Sequence, residues 1–355
     1  MAAGDILTAE GQREAEERRS GLTASNSQRA LGLLAALAVL FLLVLLSIAV
    51  GSRPMPLNTV IEALLGRASG NDAVVVLNLR LPRTVSAMIT GLSLALAGAL
   101  IQALTRNPLA DPGVLGVNAG AAFAIVIGIS LFDLGAAYQY VWFAFPGAIL
   151  ATLVVYRIGS LGRAGATPIQ LTLAGIALGA VLNGLALGLT LLDPDVFDRM
   201  RGWNAGSLAG RGYEVILPLL PIFALGVLVA GLAAAPLNAA ALGEDLGAAL
   251  GVNLAHLRAL VVVAVTLLVG AATAVAGPIG FVGLMVPHVA RWIVGPDQRW
   301  IMLYCLVLGP VLVVAADIVG RLVVQPAELP VGIVTALLGA PVLIVLVRRR
   351  KASAL

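Results

Sequence analysis

GLSLALAGALIQALTRNPLADPGVLGVNAG, residues 91–120, decides how this chain folds. An apolar stretch dense in Gly and Ala ends at Thr105-Arg106-Asn107-Pro108, turns through Ala110-Asp111-Pro112-Gly113, and gives way to a second apolar run. Proline removes a helical donor and pushes the residue before it out of the helical region, so two prolines in a polar segment predict a break between two helices. The stretch reads as a shaped membrane hairpin. Asn107, Pro108, Pro112 and Gly113 form its structural hinge, with Asn107 bonding backbone groups freed by the break.

Composition extends that reading to the whole chain. Of 355 residues 60% are hydrophobic and only 11% charged, with a mean hydropathy of +1.02. An ordinary globular domain is about 25% charged. An all-α, polytopic membrane protein is expected. The pI of about 9.7 could suggest a nucleic-acid partner, but the net charge is only +4 and the basic residues sit at the ends of apolar runs, as orientation signals do. Cys305 is the single cysteine, which excludes an intrachain disulfide or a CxxC metal site. Mixed-charge residues 1–29 precede an apolar run too long for the core of a cleaved leader, so that run is expected to be a retained first span.

Windows of about 20 apolar residues cross a hydrocarbon core of about 30 Å. They fall near 30–50, 84–104, 114–132, 136–156, 168–192, 215–237, 259–275, 278–294, 300–320 and 330–347. No charge lies between Arg258 and Arg291, and a helix that long, roughly 48 Å, is too long for one span. Gly277-Pro278, with Gly280, supplies the break and a second structural hinge. Ten spans leave both termini on one side. With the N-terminus inside, 14 of the 22 basic residues are inner, and the eight outer ones are Arg53, Arg67, Arg80, Arg83, Arg199, Arg201, Arg211 and Arg321. That bias sets both termini in the cytoplasm. The chain then divides into a flexible extension (1–29), a transmembrane domain (30–348) and a cytoplasmic tail (349–355).

Several chemistries are excluded. A GxxxxGK[ST] phosphate loop needs a lysine, and Lys351 is the only one, followed by Ala-Ser-Ala-Leu. There is no HExxH, and the 206–210 stretch GSLAG lacks the glycine two residues before the serine of a nucleophile elbow. Ion-coupled carriers place ionisable groups near the bilayer midplane. Here Asp317 is the clearest candidate, and its spacing from Arg321 suits a local ion pair. Gly175, Gly179, Gly184 and Gly188 form two GxxxG pairs, suited to close packing or to leaving room for a pathway.

The loop PLNAAALGEDLGAALGVNLAHLR (236–258) is the most informative. Glu244 and Asp245 begin a short amphipathic helix, which Gly251 ends before Asn253 restarts structure. It is either a solvated loop or a surface another protein grips. A transporter without its own nucleotide site needs such a surface to receive mechanical work.

Four stretches carry a resemblance: RNPLADPGVLGVNAG (106–120), LRLPR (79–83), AGPIGFVGLMVPHVAR (276–291) and ADIVGRLVVQPAELPVGIVTALLGAPV (316–342). Over about residues 30–348 the chain resembles the permeases of type II ABC importers for iron–siderophore complexes, haem and vitamin B12. The resemblance implies a bacterial inner-membrane protein with ten helices per subunit and a second permease subunit, identical or sister. It also implies separate ATPase subunits that bind ATP and Mg, and a periplasmic or lipid-anchored substrate-binding protein. No catalytic residue, metal site or cofactor is implied in this chain. Glu244, Asp245, Leu246, Ala249, Leu250 and Gly251 would contact the ATPase. Arg80, Arg83 and Arg321 would face outward to pair with glutamates of the binding protein, although snorkelling at the interface is their simpler role. Thr167, Pro168, Gln170 and Asn183 would line the pathway and cytoplasmic gate, and His288 would be structural. The expected cargo is a ferric siderophore, with haem or cobalamin as alternatives and an ion-coupled secondary carrier as the competing class.

Overall fold

The computed structural model describes residues 21–23, 25–51, 55–67, 70–161 and 167–350. All regular structure among them is helical: α1 (Asn26–Ala49), α2 (Leu57–Leu64), α3 (Asn71–Thr105), α4 (Val117–Phe132), α5 (Ala137–Gly159), α6 (Pro168–Leu192), α7 (Pro194–Asn204), α8 (Tyr213–Ala241), α9 (Glu244–Ala249), α10 (Leu254–Ala276), α11 (Val282–Val294), α12 (Gln298–Val323) and α13 (Val331–Arg350). Seven of these, α1, α3, α5, α6, α8, α10 and α12, are long and apolar enough to cross a membrane. α4, α11 and the apolar part of α13 are shorter. These ten helices follow the order of the expected spans.

Local chemistry explains where the helices begin. Ser25 and Gln28 form a reciprocal capping box ahead of α1, and the side chains of Asp193, Asn253 and Asp297 accept backbone N–H groups at the starts of α7, α10 and α12. α3 starts at Asn71 rather than near 84, and it widens to π-helical geometry over Val75–Arg80, just ahead of Pro82. Widening accommodates a proline that would otherwise break the ladder. The run from 259 to 294 divides as α10 and α11. Gly277 has φ 76°, and a side chain there would strike the Trp203 carbonyl.

α3 is the central post. Its most hydrophobic window is 78% buried, against 17% for α6, which leaves α6 with a long unpartnered face. Lipid tails provide no hydrophobic drive for helix association, so close approach does that work. The backbones of α3 and α12 meet at Gly91 and Gly309, and those of α3 and α11 meet at Gly98 and Gly283; a Cβ at any of the four would overlap its neighbour.

The turns collect at two ends of the bundle. At one, here the hinge end, lie the break at 106–116, the start of α6, the loop carrying α9, and the start of α1. Leu22 N and Thr23 N donate to the Trp292 and Ile293 carbonyls at the end of α11, both at 3.0 Å. That segment of the N-terminal extension is therefore tied to the bundle, and residues 1–20 lie outside the described set. At the other, here the arginine end, lie the end of α1, the first turns of α3, the 205–212 loop and the end of α12.

Candidate coupling and docking sites

At the hinge end the break after α3 is braced from several sides. Arg106 adopts left-handed geometry (φ 50°), and its guanidinium donates to the Ala240 carbonyl of α8 at 2.7 Å. Asn107 Oδ1 accepts from Leu109 N (3.1 Å), and Asp111 Oδ1 accepts from Gly113 N (2.8 Å), where Pro112 opens a short 3-10 turn. Burial raises the pKa of Asp111, and the Gly113 N–H partly offsets it. Gln102 ties α3 to α11: Nε2 donates to the Gly283 and Leu284 carbonyls, and Oε1 accepts from Arg291. Asn238 bonds both Asp297 and the Gln298 N–H at 2.7 and 2.8 Å, fixing the end of α8 to the start of α12.

α9 hangs from that braced end. Gly243 and Gly251, both at positive φ (124° and 85°), turn the chain into and out of it. Gly247 packs against the Ala240 backbone and is buried, whereas Asp245, Leu246, Ala249, Leu250 and Gly251 are exposed. Leu246 and Leu250 are 59% and 63% exposed, an apolar display that none of the described residues covers. The side chain of Glu244 lies outside the described set.

Thr167, Pro168 and Gln170, expected at a gate, make a helix start. The Thr167 hydroxyl accepts from Gln170 N and the Gln170 carbonyl oxygen accepts from Thr167 N, each at 3.3 Å, with Pro168 in the first turn. This is a capping box, legible in the sequence as T-x-x-Q. Pro168 also lines a small cavity with Arg106, Ala240 and Arg258. Asn183 stands apart from them, exposed midway along the open face of α6. Of the two GxxxG pairs, Gly175 packs against the Val114 carbonyl, and Gly184 and Gly188 face open space.

The arginine end corrects one expectation. Arg80 and Arg321 do not stand outward: they are 5% and 2% exposed. Arg80 donates to the Ile48 and Ala49 carbonyls of α1. Arg321 donates to the Ser47 and Val50 carbonyls and the Ser47 hydroxyl, and it pairs with Asp317 at 2.9 Å, as the four-residue spacing suggested. Arg83 reaches across to the same Asp317 (2.9 Å) and to Glu328 (2.6 Å). None of the three snorkels into free solvent, because carbonyls and carboxylates of neighbouring helices satisfy them first. All three nonetheless line one cavity of about 390 Å³, together with Arg211, Glu214 and Glu328. In the sequence Arg211 is no more than an outer charge; nothing local in Gly210-Arg211-Gly212 announces a site.

Among the described residues, seven helices long and apolar enough to cross a bilayer, with three shorter apolar ones, mark a multi-pass membrane protein. The chain belongs to the FecCD transport family, whose profile matches residues 39–349. It is 47% identical over 323 residues to the ferric enterobactin transport system permease FepD of Escherichia coli K12, covering 91% of this chain and 96% of that one. It is 39% identical to the hemin transport system permease HmuU of Yersinia pestis, covering 88% and 95%. A solved inward-facing structure of metal-chelate ABC transporter type superposes with a TM-score of 0.75 at 27% identity, covering 89% of this chain and 98% of that one. The protein is a permease of the ABC importer class.

Proposed function

We propose that this chain carries a ferric siderophore across the bacterial inner membrane by alternating access, driven by ATP and Mg held on separate ATPase subunits. The observation that carries this reading is α9: a short helix with exposed Asp245, Leu246 and Leu250, suspended beside Ala240 where Arg106 grips the hinge. Motion imposed on α9 would pass into α8 and, through Arg106, into α3, which with α10 is among the most deeply packed of the long helices. Ten spans with the hinge end in the cytoplasm complete the topology; the positive-inside count and the common location of both described chain ends support it. A second permease copy or a sister subunit would cover α6, leaving Asn183, Gly184 and Gly188 beside a pathway.

Relatives named for ferric enterobactin, iron(3+)-hydroxamate and hemin support an iron chelate as cargo, a siderophore before haem or cobalamin. A chelated iron brings its own ligands and needs none from its carrier. Among the described residues no three His, Cys, Asp or Glu side chains gather to hold a metal. On the outer side a substrate-binding protein would dock at the arginine-lined cavity, its carboxylates drawn by four arginines against two glutamates.

Proteoliposomes containing this chain, its ATPase and its binding protein, presented with radiolabelled ferric enterobactin, test the proposal. ATP-dependent accumulation is expected. Accumulation by the chain alone under a proton or sodium gradient would establish the secondary-carrier alternative instead.

A further inference from the structure

The four arginines of the outer cavity are not equivalent. Arg83 is held by Asp317 and Glu328, Arg321 by Asp317 and the end of α1, and Arg80 by the Ile48 and Ala49 carbonyls. Arg211 is 9% exposed, so it is nearly as deeply set as they are. Its only hydrogen bond among the described residues is a long one, Nε to the Ser207 carbonyl at 3.4 Å. Glu214 lines the same cavity, yet its carboxylate folds back against Gly212 and makes no ion pair with Arg211. A guanidinium this buried with no counter-ion among the described residues is costly to keep. In accord with that cost, burial lowers its pKa below the ordinary guanidinium value, opposed by the Tyr140 phenol.

The loop carrying Arg211 is fixed rather than loose. Ser207 N donates to the Ala276 carbonyl at 2.8 Å and Gly332 N donates to the Gly206 carbonyl at 2.9 Å, locking the loop between α10 and α13. Val215 N bonds back to the Gly212 carbonyl on the other flank. The cavity therefore presents a preorganised planar fork of N–H donors that no carboxylate among the described residues engages.

We propose that Arg211 is the carboxylate-receiving cation of the outer cavity and takes an acidic side chain of the docking substrate-binding protein. The inference rests on the docking reading above and adds a specific residue to it. A carboxylate suits the vacancy because it accepts two parallel N–H bonds and supplies the absent charge.

The test uses the full chain with its ATPase in lipid nanodiscs and measures the affinity of the binding protein across a salt series. Arg211→Gln should weaken docking about tenfold at low salt and flatten the salt dependence, while Arg211→Lys, which keeps the charge, should retain most of that dependence. Equal loss in Arg211→Gln and Arg211→Lys, with a lowered melting temperature in both, would show a structural role and overturn the proposal. If Arg80→Glu with Arg83→Glu leaves docking unaltered, the docking reading itself fails. If that pair weakens docking and Arg211→Gln does not, only the present inference fails. Citrate at matched ionic strength probes a free carboxylate as the source. Displacement of the binding protein by citrate in the wild type but not in Arg211→Gln supports the proposal. Citrate binding that depends on Arg211 yet leaves docking untouched would assign the site to a small anion and overturn it.

Discussion

Arg83 and Asp317, 234 positions apart, meet as a fork at the end of the bundle: Nε lies 3.1 Å from both carboxylate oxygens and Nη2 lies 2.9 Å from one. Asp317 also holds Arg321, so one buried carboxylate joins α3 to α12 and steadies two guanidiniums. Removing it would leave two buried cations short of charge. Asp317→Asn is expected to cost about 3–5 kcal/mol, the range for breaking one side of a buried pair. Chemical unfolding in detergent micelles would register this as a lower midpoint, and a midpoint equal to the wild type would mean the pair does not hold the helices together.

Close backbone approach yields a contrast between two glycines. Gly98→Ala would drive a methyl group into the Gly283 backbone and should destabilise by about 1–3 kcal/mol through overpacking. Gly184→Ala meets nothing within 4 Å among the described residues and should leave the stability of the isolated subunit unchanged or raise it by up to about 1 kcal/mol, Ala being the better helix former. Thermal melting of both variants decides it. Equal effects would remove the distinction between a packed and an open glycine.

Much of the break chemistry was legible from residue types. Proline and glycine stop helices for local reasons, so the divisions at 106–113 and at Gly277-Pro278 needed no knowledge of neighbours, and α6 occupies the expected 168–192. The start of α3 was not legible, because Arg80 and Arg83 depress local hydropathy. What satisfies them comes from Asp317, Glu328 and the end of α1, none of it nearby in sequence. For the same reason Arg80 and Arg321, expected to face outward, are enclosed, and Arg83 is only partly exposed. Arg211 is invisible as a site in the sequence, since its standing depends on the folded neighbours, none of which, among the described residues, offers it a carboxylate.

Asp111 supplies a pH dependence. Its folded-state pKa is raised by burial, so the folded form binds its proton more tightly than the unfolded chain does. Stability should therefore fall as pH rises from the ordinary carboxylate range through the raised value, then level off. Asp111→Asn keeps an acceptor for Gly113 N and should flatten that part of the profile. Melting temperatures from pH 4 upward would show the slope in the wild type and its loss in the variant; parallel profiles would count against a titrating Asp111.

The bond from Arg106 to the Ala240 carbonyl is the direct link between the hinge and the loop carrying α9. Arg106→Ala should leave the fold standing, because an exposed bond contributes only about 1 kcal/mol, but it should loosen the transmission of motion. ATP hydrolysis that continues while uptake per ATP falls is the expected result in proteoliposomes. An unchanged ratio would mean that motion reaches α3 by another route.

Most decisive is α9 itself, where Asp245→Arg combined with Leu246→Ala and Leu250→Ala strips the exposed face without touching the buried Gly247. ATP-driven uptake and ATPase retention on the purified complex should be measured together. If α9 receives the work of ATP hydrolysis, the triple variant inserts and melts like the wild type yet loses the ATPase or its coupled uptake; full uptake with an intact complex would contradict the mechanism.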